Sequence, residues 1–246
     1  MLRLIRSILC AFCFAVFGFG AVILGGIIFP VLLFFYRNPA RQQKVLSYTI
    51  HILWLIFVKL MCGLRLISIK INRPGELKNL HGYIVVANHP SLIDILILIS
   101  IIPDSICVVK KSLFKNIFVG KVIRNIYLSN DMNLDDFIEK GTKFLDSGYN
   151  IVIFPEGTRT VVGRKIHLHR GFAYLHLKSG HPILPIHIEN TPQILGKKQP
   201  WYDVGSGISV YSFNVKRPIV YKAPDNKGQR EMAIYVTSLV FDSIFK

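Results

Sequence analysis

The first 75 residues of the chain contain no acidic residue, and nine Lys and Arg residues precede the first carboxylate, Glu76. The whole chain has 30 Lys and Arg against 14 Asp and Glu, a net charge of +16. The basic residues flank apolar runs rather than alternate with exposed aromatics, which disfavours nucleic acid as a partner. A basic, apolar leader suits an anionic lipid surface, where each nearby cation contributes about 1 kcal/mol. We therefore predict a membrane partner and no nucleic acid.

Charge of either sign is absent from Ser7 to Tyr36. This run is too long for the apolar core of a secretory signal, and no small-residue cleavage site with a polar continuation follows it. One helix over the run would be about 45 Å long, more than a hydrocarbon core of roughly 30 Å requires. Two alternatives remain: a tilted single span, or a re-entrant hairpin broken near Gly25-Gly26 or Pro30.

A second apolar segment, residues 45–62, carries Trp54 and Lys59 and predicts a helix at the membrane interface. Mean hydropathy over the chain is +0.42, which also indicates a membrane. We predict that residues 1–62 are membrane-anchoring helices and that residues 63–246 form a separate domain. Positive charge flanks both ends of the first run, so the positive-inside rule gives no clear orientation. That symmetry favours both ends on the cytoplasmic face.

Several kinds of chemistry lack their motifs. There are four cysteines, all inside apolar runs, and Cys10-x-x-Cys13 lacks the strand-to-helix setting of a redox motif. We interpret them as buried small hydrophobes and expect no disulfide and no metal. Gly205-Ser206-Gly207 lacks the spacing of a serine nucleophile elbow. His167 and His169 are two residues apart, which alternation along an extended segment explains without a ligand role.

Beyond Gly63, apolar runs with the period of strands alternate with runs typical of helices. The pattern predicts strands at 65–71, 83–87, 106–109, 150–154, 183–188 and 208–215. It predicts helices at 92–102, from Asn133 to a stop at Gly148, at 171–180 and at 229–245. Such alternation is typical of an α/β sheet flanked by helices. We therefore predict an α/β fold preceded by an N-terminal apolar helical membrane anchor.

A first polar cluster, Asn88-His89-Pro90-Ser91-Leu92-Ile93-Asp94, follows the strand at 83–87. Sites in such folds form at the carboxyl ends of strands. On one interpretation, Ser91 and Asp94 form a capping box and His89 is a hydrogen-bonded turn residue. On the other, His89 is a general base and Asp94 accepts its other ring N–H. The histidine can fold back over the first helical turn, so the two roles do not exclude each other.

A second polar cluster, Phe154-Pro155-Glu156-Gly157-Thr158-Arg159, ends the strand at 150–154. It fits an ordinary turn in which Gly157 supplies a permissive backbone and Glu156 is solvated. Arg159 has a sharper use, because a guanidinium can bind a phosphate through two parallel hydrogen bonds. Five basic residues and no carboxylate occur between Glu156 and Glu189: Arg159, Arg164, Lys165, Arg170 and Lys178. A further basic segment contains Lys110, Lys111, Lys115, Lys121 and Arg124. Each could equally be a solvated face.

Taken in this order, the two clusters resemble the blocks of the lysophospholipid (1-acylglycerol-3-phosphate type) acyltransferase family. The family's His-x4-Asp block is here NHPSLID, and its Phe-Pro-Glu-Gly-Thr-Arg block is FPEGTR. Its later hydrophobic–proline block is ILPIHI, and RGFAYLHLKSGHP resembles the run into it. The resemblance covers about residues 65–220. It implies that residues 63–246 form an acyltransferase domain with a glycerolipid-acyltransferase-like mixed sheet.

The resemblance implies a membrane-bound O-acyltransferase without a cofactor. It would transfer an acyl chain from acyl-carrier protein or acyl-CoA to the hydroxyl of a lysophospholipid-type acceptor such as 1-acylglycerol-3-phosphate. His89 would be the catalytic base and Asp94 its partner. The implied substrate-binding residues are Asn88, Lys111, Glu156, Gly157, Thr158 and Arg159. The implied location is the bacterial inner membrane, with the catalytic domain on the cytoplasmic face.

The chain departs from the family in the block KKSLFKNIFVGKVIRNIYLSND. The family has Lys-x-Glu-Leu, a proline before the glycine and an arginine at the end of the next strand. Here Lys111, Leu113 and Gly120 are kept, but Ser112 replaces the glutamate, the proline is missing, and Ser129-Asn130-Asp131 stands where the arginine is expected. Because this block is tied to acceptor recognition, the acceptor stays open.

Three alternatives to the reaction on a lysophospholipid remain. The pattern looks most similar to a bacterial branch associated with aryl-polyene lipid biosynthesis, so the acceptor could be a different lipid alcohol. A hydrolase on the same scaffold would use water in place of the alcohol. A non-catalytic membrane lipid-binding protein would keep the fold without turnover, and the intact His-x4-Asp pair argues against it.

Overall fold

The computed structural model describes residues 1–111, 126–161, 163, 165–221 and 228–246. The strands in this part are β1 (Ile67–Ile71), β2 (Ile84–Ala87), β3 (Ser105–Val109), β4 (Leu128–Ser129), β5 (Asn150–Ile153), β6 (Ile183–Thr191) and β7 (Ser209–Val215). They form one sheet in the order β1-β7-β6-β2-β5-β3-β4. The predicted α/β fold with a mixed sheet is therefore confirmed.

The strand directions give the sheet one edge where most strands end. Strands β2, β3, β4, β5 and β6 run parallel, whereas β7 runs antiparallel to β6 and parallel to β1. The carboxyl ends of those five strands therefore meet the amino ends of β1 and β7 at one edge, called here the carboxyl edge. Both polar clusters of the sequence follow strands that end at this edge.

Helices cover the sheet. They are α3 (Pro39–Gly63), α4 (Pro74–Lys78), α5 (Asp94–Ile101), α6 (Leu134–Asp146), α7 (Gly171–Ser179) and α8 (Gln229–Phe245). Helices α3 and α5 pack against each other, and α6 and α8 both contact α7. Every residue of β2 and β5 is buried, as expected of central parallel strands covered on both faces.

Local signals set several helix ends where the sequence predicts them. The Asn133 side chain accepts a hydrogen bond from the backbone N–H of Asp136 at 2.8 Å and begins α6. Gly180, at φ +74°, ends α7. Elsewhere the limits shift. Helix α5 begins at Asp94 rather than Leu92, β1 begins at Ile67 because Arg65 adopts φ +56°, and α4 and β4 are absent from the prediction.

The N-terminal run is one continuous helical rod: α1 (Leu2–Ile23), a π-helical segment (Leu24–Ile28) and α2 (Phe29–Phe35). The chain does not turn back at Gly25-Gly26 or Pro30, so of the two alternatives the hairpin broken there does not agree with the structure. In the π-helical segment the N–H of Phe29 bonds the carbonyl of Leu24, five residues back. This wider turn accommodates Pro30, which has no N–H to donate.

The chain reverses at Tyr36–Asn38, and α3 returns along α1 and α2. Both Leu2–Phe35, with 34 residues, and Pro39–Gly63, with 25, are long and apolar enough to cross a membrane. The predicted apolar helices are thus present. Helix α3 also contacts β1 and β3, so it lies against the sheet as well as against α1. The division into residues 1–62 and 63–246 stays a prediction.

The start of α1 is fixed to the carboxyl edge. The buried guanidinium of Arg6 donates to the carbonyls of Arg65, Leu66 and Gly207, at 2.8, 3.2 and 2.6 Å. These carbonyls lie just before β1 and β7, whose amino ends are at that edge. Arg3 pairs with Asp203 at 2.8 Å in the same region. The apolar rod therefore begins at the same edge of the sheet as the polar clusters.

Candidate active site

His89 and Asp94 meet at the carboxyl edge. Strand β2 ends at Ala87 and α5 begins at Asp94, so the intervening loop folds the histidine back over the first helical turn. His89 Nδ1 lies 3.0 Å from Asp94 Oδ2. When Asp94 is ionised its oxygen only accepts hydrogen bonds, so Nδ1 carries the hydrogen of this contact, and in the neutral imidazole Nε2 then has the lone pair.

Asp94 is fully buried at 0% exposure. Its Oδ2 also accepts the backbone N–H of Ser91 at 2.6 Å, whereas its Oδ1 has no hydrogen-bond partner among the described residues. Burial raises the pKa of the Asp94 carboxyl, and the hydrogen bonds from His89 and Ser91 oppose that rise. The carboxylate is thus held in place by the two donors that stabilise its charged form.

Ser91 is not the helix cap that one interpretation of the sequence predicts. The residue that precedes α5 is Ile93, which makes no side-chain cap. The Ser91 hydroxyl instead bonds the buried hydroxyl of Tyr211 on β7 at 2.7 Å. Of the two hydrogen bonds that make a capping box, only one is present. The Asp94 carboxylate accepts the backbone N–H of Ser91, but the Ser91 side chain does not cap the helix. This leaves Asp94 oriented towards His89 rather than towards helix backbone.

The ring of His89 stacks on that of Phe154, with centroids 4.1 Å apart and planes 13° from parallel. Phe154 directly follows β5, the neighbour of β2 in the sheet. The stack fixes the plane of the imidazole. Nε2 makes no hydrogen bond with a described residue, and the side chain is 17% exposed. The imidazole therefore presents one unpaired nitrogen that a substrate can reach.

The side chains of Glu156, in the second cluster, and of Thr160, which directly follows it, hold the His89 backbone. The N–H of His89 donates to Glu156 Oε1 at 3.2 Å and to the Thr160 hydroxyl at 3.0 Å. That hydroxyl donates to Glu156 Oε1 at 2.6 Å, and the Thr160 N–H bonds the His89 carbonyl at 2.7 Å. Burial raises the pKa of Glu156, and its bond with Thr160 opposes this. The two clusters thus form one hydrogen-bonded unit.

Gly157 and Thr158 shape the turn between these contacts. Gly157 adopts φ +65°, and a Cβ added there would lie 3.2 Å from the ring of His169. Its N–H bonds the carbonyl of Phe154 at 3.1 Å. Thr158 is exposed. A larger residue at position 157 would strain the turn that brings Glu156 under the His89 backbone.

Arg159 joins the second cluster to the loop after β6. Its Nη1 donates to the carbonyls of Leu195 and Gly196, both at 3.0 Å. Nε and Nη2 make no hydrogen bond with a described residue. The guanidinium is also close enough to Asp94 to lower that carboxyl's pKa slightly against the larger effect of burial. One side of the fork is therefore structural and the other is unpaired.

A sequence model described as acyltransferase matches residues 68–189. The chain is 30% identical over 115 residues to a 1-acyl-sn-glycerol-3-phosphate acyltransferase of Cocos nucifera, covering 44% of this chain and 37% of that protein. It is 26% identical over 185 residues to the alpha form of Mus musculus, covering 71% and 63%. The chain belongs to the acyltransferase family. It spans less than two thirds of the length of these two relatives.

A solved protein structure has a similar fold to this chain. The crystal structure of the 1-acyl-sn-glycerophosphate (LPA) acyltransferase PlsC from Thermotoga maritima superposes with a TM-score of 0.75. The match covers 99% of this chain and 97% of that one at 21% sequence identity. At this identity the likeness shows the fold, and it includes the N-terminal helices as well as the sheet.

The side chains of two of the predicted binding residues, Asn88 and Lys111, make their contacts outside the hydrogen-bonded unit that holds His89. Asn88 is buried, and its amide donates to the carbonyl of Ile188 at 2.8 Å and accepts that residue's N–H at 2.6 Å. These bonds join β2 to β6. Lys111 pairs with Asp131 at 2.6 Å beyond the ends of β3 and β4. Contacts of either residue with a substrate stay predictions.

Other predicted residues lie outside the described part of the chain: Ser112, Leu113, Lys115, Gly120, Lys121, Arg124 and Arg164. The sequence analysis gave no role to two residues of the unit, Thr160 and Phe154. Thr160 directly follows the FPEGTR block and Phe154 is its first residue. Their places in the sequence, within or next to this block, were the signal that could have identified them. Tyr211 had no local signal, because only the pairing of β6 with β7 brings it to Ser91.

Proposed function

We propose that this chain is a membrane-bound O-acyltransferase that moves an acyl chain from an acyl thioester to the hydroxyl of a lysophospholipid-type acceptor. The observation that carries the proposal is the His89–Asp94 pair, with Nδ1 bonded to a buried carboxylate and Nε2 unpaired at the carboxyl edge. The names of the relatives support the same reaction class, since both curated proteins are 1-acyl-sn-glycerol-3-phosphate acyltransferases.

The proposed reaction uses His89 as general base and then as general acid. The acceptor hydroxyl loses its proton to Nε2 while its oxygen attacks the thioester carbonyl, and a C–O bond forms. The tetrahedral intermediate collapses, the C–S bond breaks, and the sulfur takes the proton back from Nε2. Asp94 stabilises the imidazolium between the two steps. No serine nucleophile is involved, so no acyl-enzyme forms.

The acceptor's charged group is proposed to meet Arg159. Nη1 is occupied by the carbonyls of Leu195 and Gly196, which fixes the guanidinium plane, and Nε and Nη2 are left for a ligand. A charge-assisted contact from a fixed fork favours a phosphate over an uncharged headgroup. Glu156, Gly157 and Thr158 would shape the same site indirectly, through the turn that carries Arg159.

The membrane location is proposed from the two apolar helical runs and from where the first begins. Leu2, Leu4, Ile5 and Ile8 are exposed at the start of α1. Arg6 fixes this turn beside the carboxyl edge, so a lipid acceptor would have a short path from the bilayer to His89. We propose that residues 1–62 hold the domain on the cytoplasmic face of a bacterial inner membrane. A periplasmic Lys246 in a reporter fusion would contradict this orientation.

The experiment that tests the function uses the purified full-length chain in nonionic detergent. Acyl-CoA and acyl-carrier protein serve as donors, with 1-acylglycerol phosphate, 1-acylglycerol or no acceptor, and both acyl transfer and thiol release are measured. The proposal predicts thiol release that depends on an alcohol and matches the acylated product. Thiol release without an alcohol would instead indicate a hydrolase, and no release with any pair would favour a non-catalytic lipid-binding protein.

Arg159→Lys refines the same test. A lysine is a point charge and cannot reproduce a fork that bonds two carbonyls and a phosphate together. The substitution should raise the KM for 1-acylglycerol phosphate by about tenfold and leave the donor KM nearly unchanged. A wild type that prefers an uncharged alcohol, with no effect of the substitution, would contradict the phosphate site. It would favour another lipid acceptor, such as one of polyene lipid synthesis.

A further inference from the structure

A groove opens beside the candidate active site. It has a volume of about 480 Å³ and is lined by Thr160, Val161, Gln193, Gly196, Lys197, Lys198 and Gln199. Thr160 places it next to the catalytic pair, because its hydroxyl accepts the His89 N–H. Gly196 places it next to Arg159, which bonds the Gly196 carbonyl. No residue of the predicted site lines this groove.

The loop that forms one wall of the groove is fixed to both polar clusters. Gln193 Nε2 donates to the carbonyl of Pro90 at 3.2 Å, and the N–H of Leu92 donates to the carbonyl of Leu195 at 3.0 Å. Arg159 bonds the carbonyls of Leu195 and Gly196. Four hydrogen bonds therefore hold this loop against the His89 and Arg159 segments. The wall is preformed, and Lys197 follows its last anchored residue.

The groove is cationic and its charge is not neutralised. Lys197 and Lys198 are exposed, and neither makes an ion pair with a described residue. No carboxylate lines the groove, and the closest carboxylate downstream, Asp203, pairs with Arg3. By contrast, Lys111, the lysine predicted to bind substrate, pairs with Asp131. Lys197 and Lys198 therefore give the groove positive charge that no described carboxylate neutralises.

We propose that the groove binds a phosphate of the substrate through Lys197 and Lys198, next to the guanidinium of Arg159. The proposal rests on the proposed acyl transfer and assigns two residues to its substrate recognition. The phosphate is either the monoester of the acceptor or a phosphate of the donor's pantetheine arm.

The experiment replaces both lysines in the full-length chain, Lys197→Gln with Lys198→Gln, in nonionic micelles that carry no surface charge. A matched control replaces two exposed lysines remote from the carboxyl edge, Lys78→Gln with Lys178→Gln. The measured quantities are the KM for short-chain 1-acylglycerol phosphate, the KM for the same 1-acylglycerol without phosphate, and the donor KM. Melting temperatures check that both double variants fold.

The expected result is a rise of about tenfold in the KM for the phosphorylated acceptor, with kcat, the KM for the uncharged acceptor and the control variant within about twofold of wild type. Added NaCl should raise the KM of the wild type more than that of the double variant, because salt screens the lysine–phosphate contact that only the wild type makes. A rise in donor KM alone would assign the groove to the donor's phosphate. Unchanged KM values for both substrates would overturn the proposal.

Binding separates this proposal from the transfer reaction. His89→Ala lacks the base but keeps the groove, so calorimetric titration with short-chain 1-acylglycerol phosphate measures the subsite without turnover. The same titration of the triple variant with Lys197→Gln and Lys198→Gln should show binding about tenfold weaker. This difference would hold even if the wild type transfers no acyl group, in which case only the proposed function fails. Equal affinity of the two proteins would overturn the subsite.

Discussion

Two imidazole–carboxylate pairs lie at opposite edges of the same sheet. At the carboxyl edge, His89 Nδ1 is 3.0 Å from Asp94. At the other edge, before β6, His181 Nε2 is also 3.0 Å from a carboxylate, that of Asp146 at the end of α6. The distances are equal, but Asp94 is 0% exposed and Asp146 is 65% exposed.

The environments give the two histidines different capacities. His181 uses both ring nitrogens, since Nδ1 contacts the carbonyl of Gly82 at 2.8 Å while Nε2 contacts Asp146. His89 uses only Nδ1, and its ring plane is held by Phe154. A short histidine–carboxylate contact therefore does not make a base. A base also needs an unpaired nitrogen that a substrate can reach and a partner that fixes the ring.

The two pairs should differ most in how much the transfer rate falls when the histidine of each pair is replaced by alanine. His89→Ala should lower the transfer rate about 10²- to 10⁴-fold, the usual contribution of a positioned base. His181→Ala should change the rate less than about twofold, because exposed pairs of this kind contribute little. Initial rates of the two purified variants measure this. Equal rates for His89→Ala and His181→Ala would contradict the difference in function between the two histidines.

The second difference concerns the carboxylates. Asp94→Asn should lower the rate by about 10²- to 10⁴-fold, because a neutral amide cannot stabilise the imidazolium that forms on His89. Its melting temperature should stay level or rise, since a neutral amide is cheaper to bury than a charge. Asp146→Asn should alter neither quantity. A large loss of stability with little loss of rate in Asp94→Asn would indicate a purely structural role.

A smaller effect is expected from the support under the His89 backbone. Thr160→Val keeps the shape but removes the hydroxyl that bonds both the His89 N–H and Glu156, so the rate should fall about tenfold through misplacement of the ring. Thr160→Ser keeps the hydroxyl and should restore most of the rate. Equal rates for the two variants would remove Thr160 from the set of positioning residues.

The smallest effect is on stability and depends on pH. Burial raises the pKa of Glu156 above its ordinary value of 4.5. Between 4.5 and the raised pKa, the folded chain binds more protons than the unfolded chain, so this group's contribution to stability falls as pH rises. Glu156→Gln removes that fall. The melting temperature of the variant should rise relative to that of wild type as the pH increases above 4.5, and a shift in favour of wild type would contradict the burial of Glu156.

The sequence predicts those features of the structure that depend on neighbouring residues in the chain. Asn133 and Gly180 set helix ends because capping depends on neighbouring residues, and FPEGTR and NHPSLID were found because each is contiguous. The sequence left open whether the first helix breaks near Gly25-Gly26 or Pro30, and it does not break because a π-helical turn accommodates Pro30. Sequence alone could not reveal that the Arg159 fork is half occupied or that Ser91 bonds Tyr211. Those contacts join positions 36 to 120 residues apart and depend on strand order.

The central claim, that His89 keeps Nε2 bare while Asp94 holds hydrogen on Nδ1, is tested most directly by nitrogen NMR. Full-length chain labelled with ¹⁵N-histidine in nonionic micelles would be measured at the pH of activity, with His89→Gln to assign the signals. The account predicts that the neutral His89 imidazole carries its hydrogen on Nδ1. A hydrogen on Nε2 in the wild type would contradict the account, since that nitrogen could not then accept a proton from the acceptor.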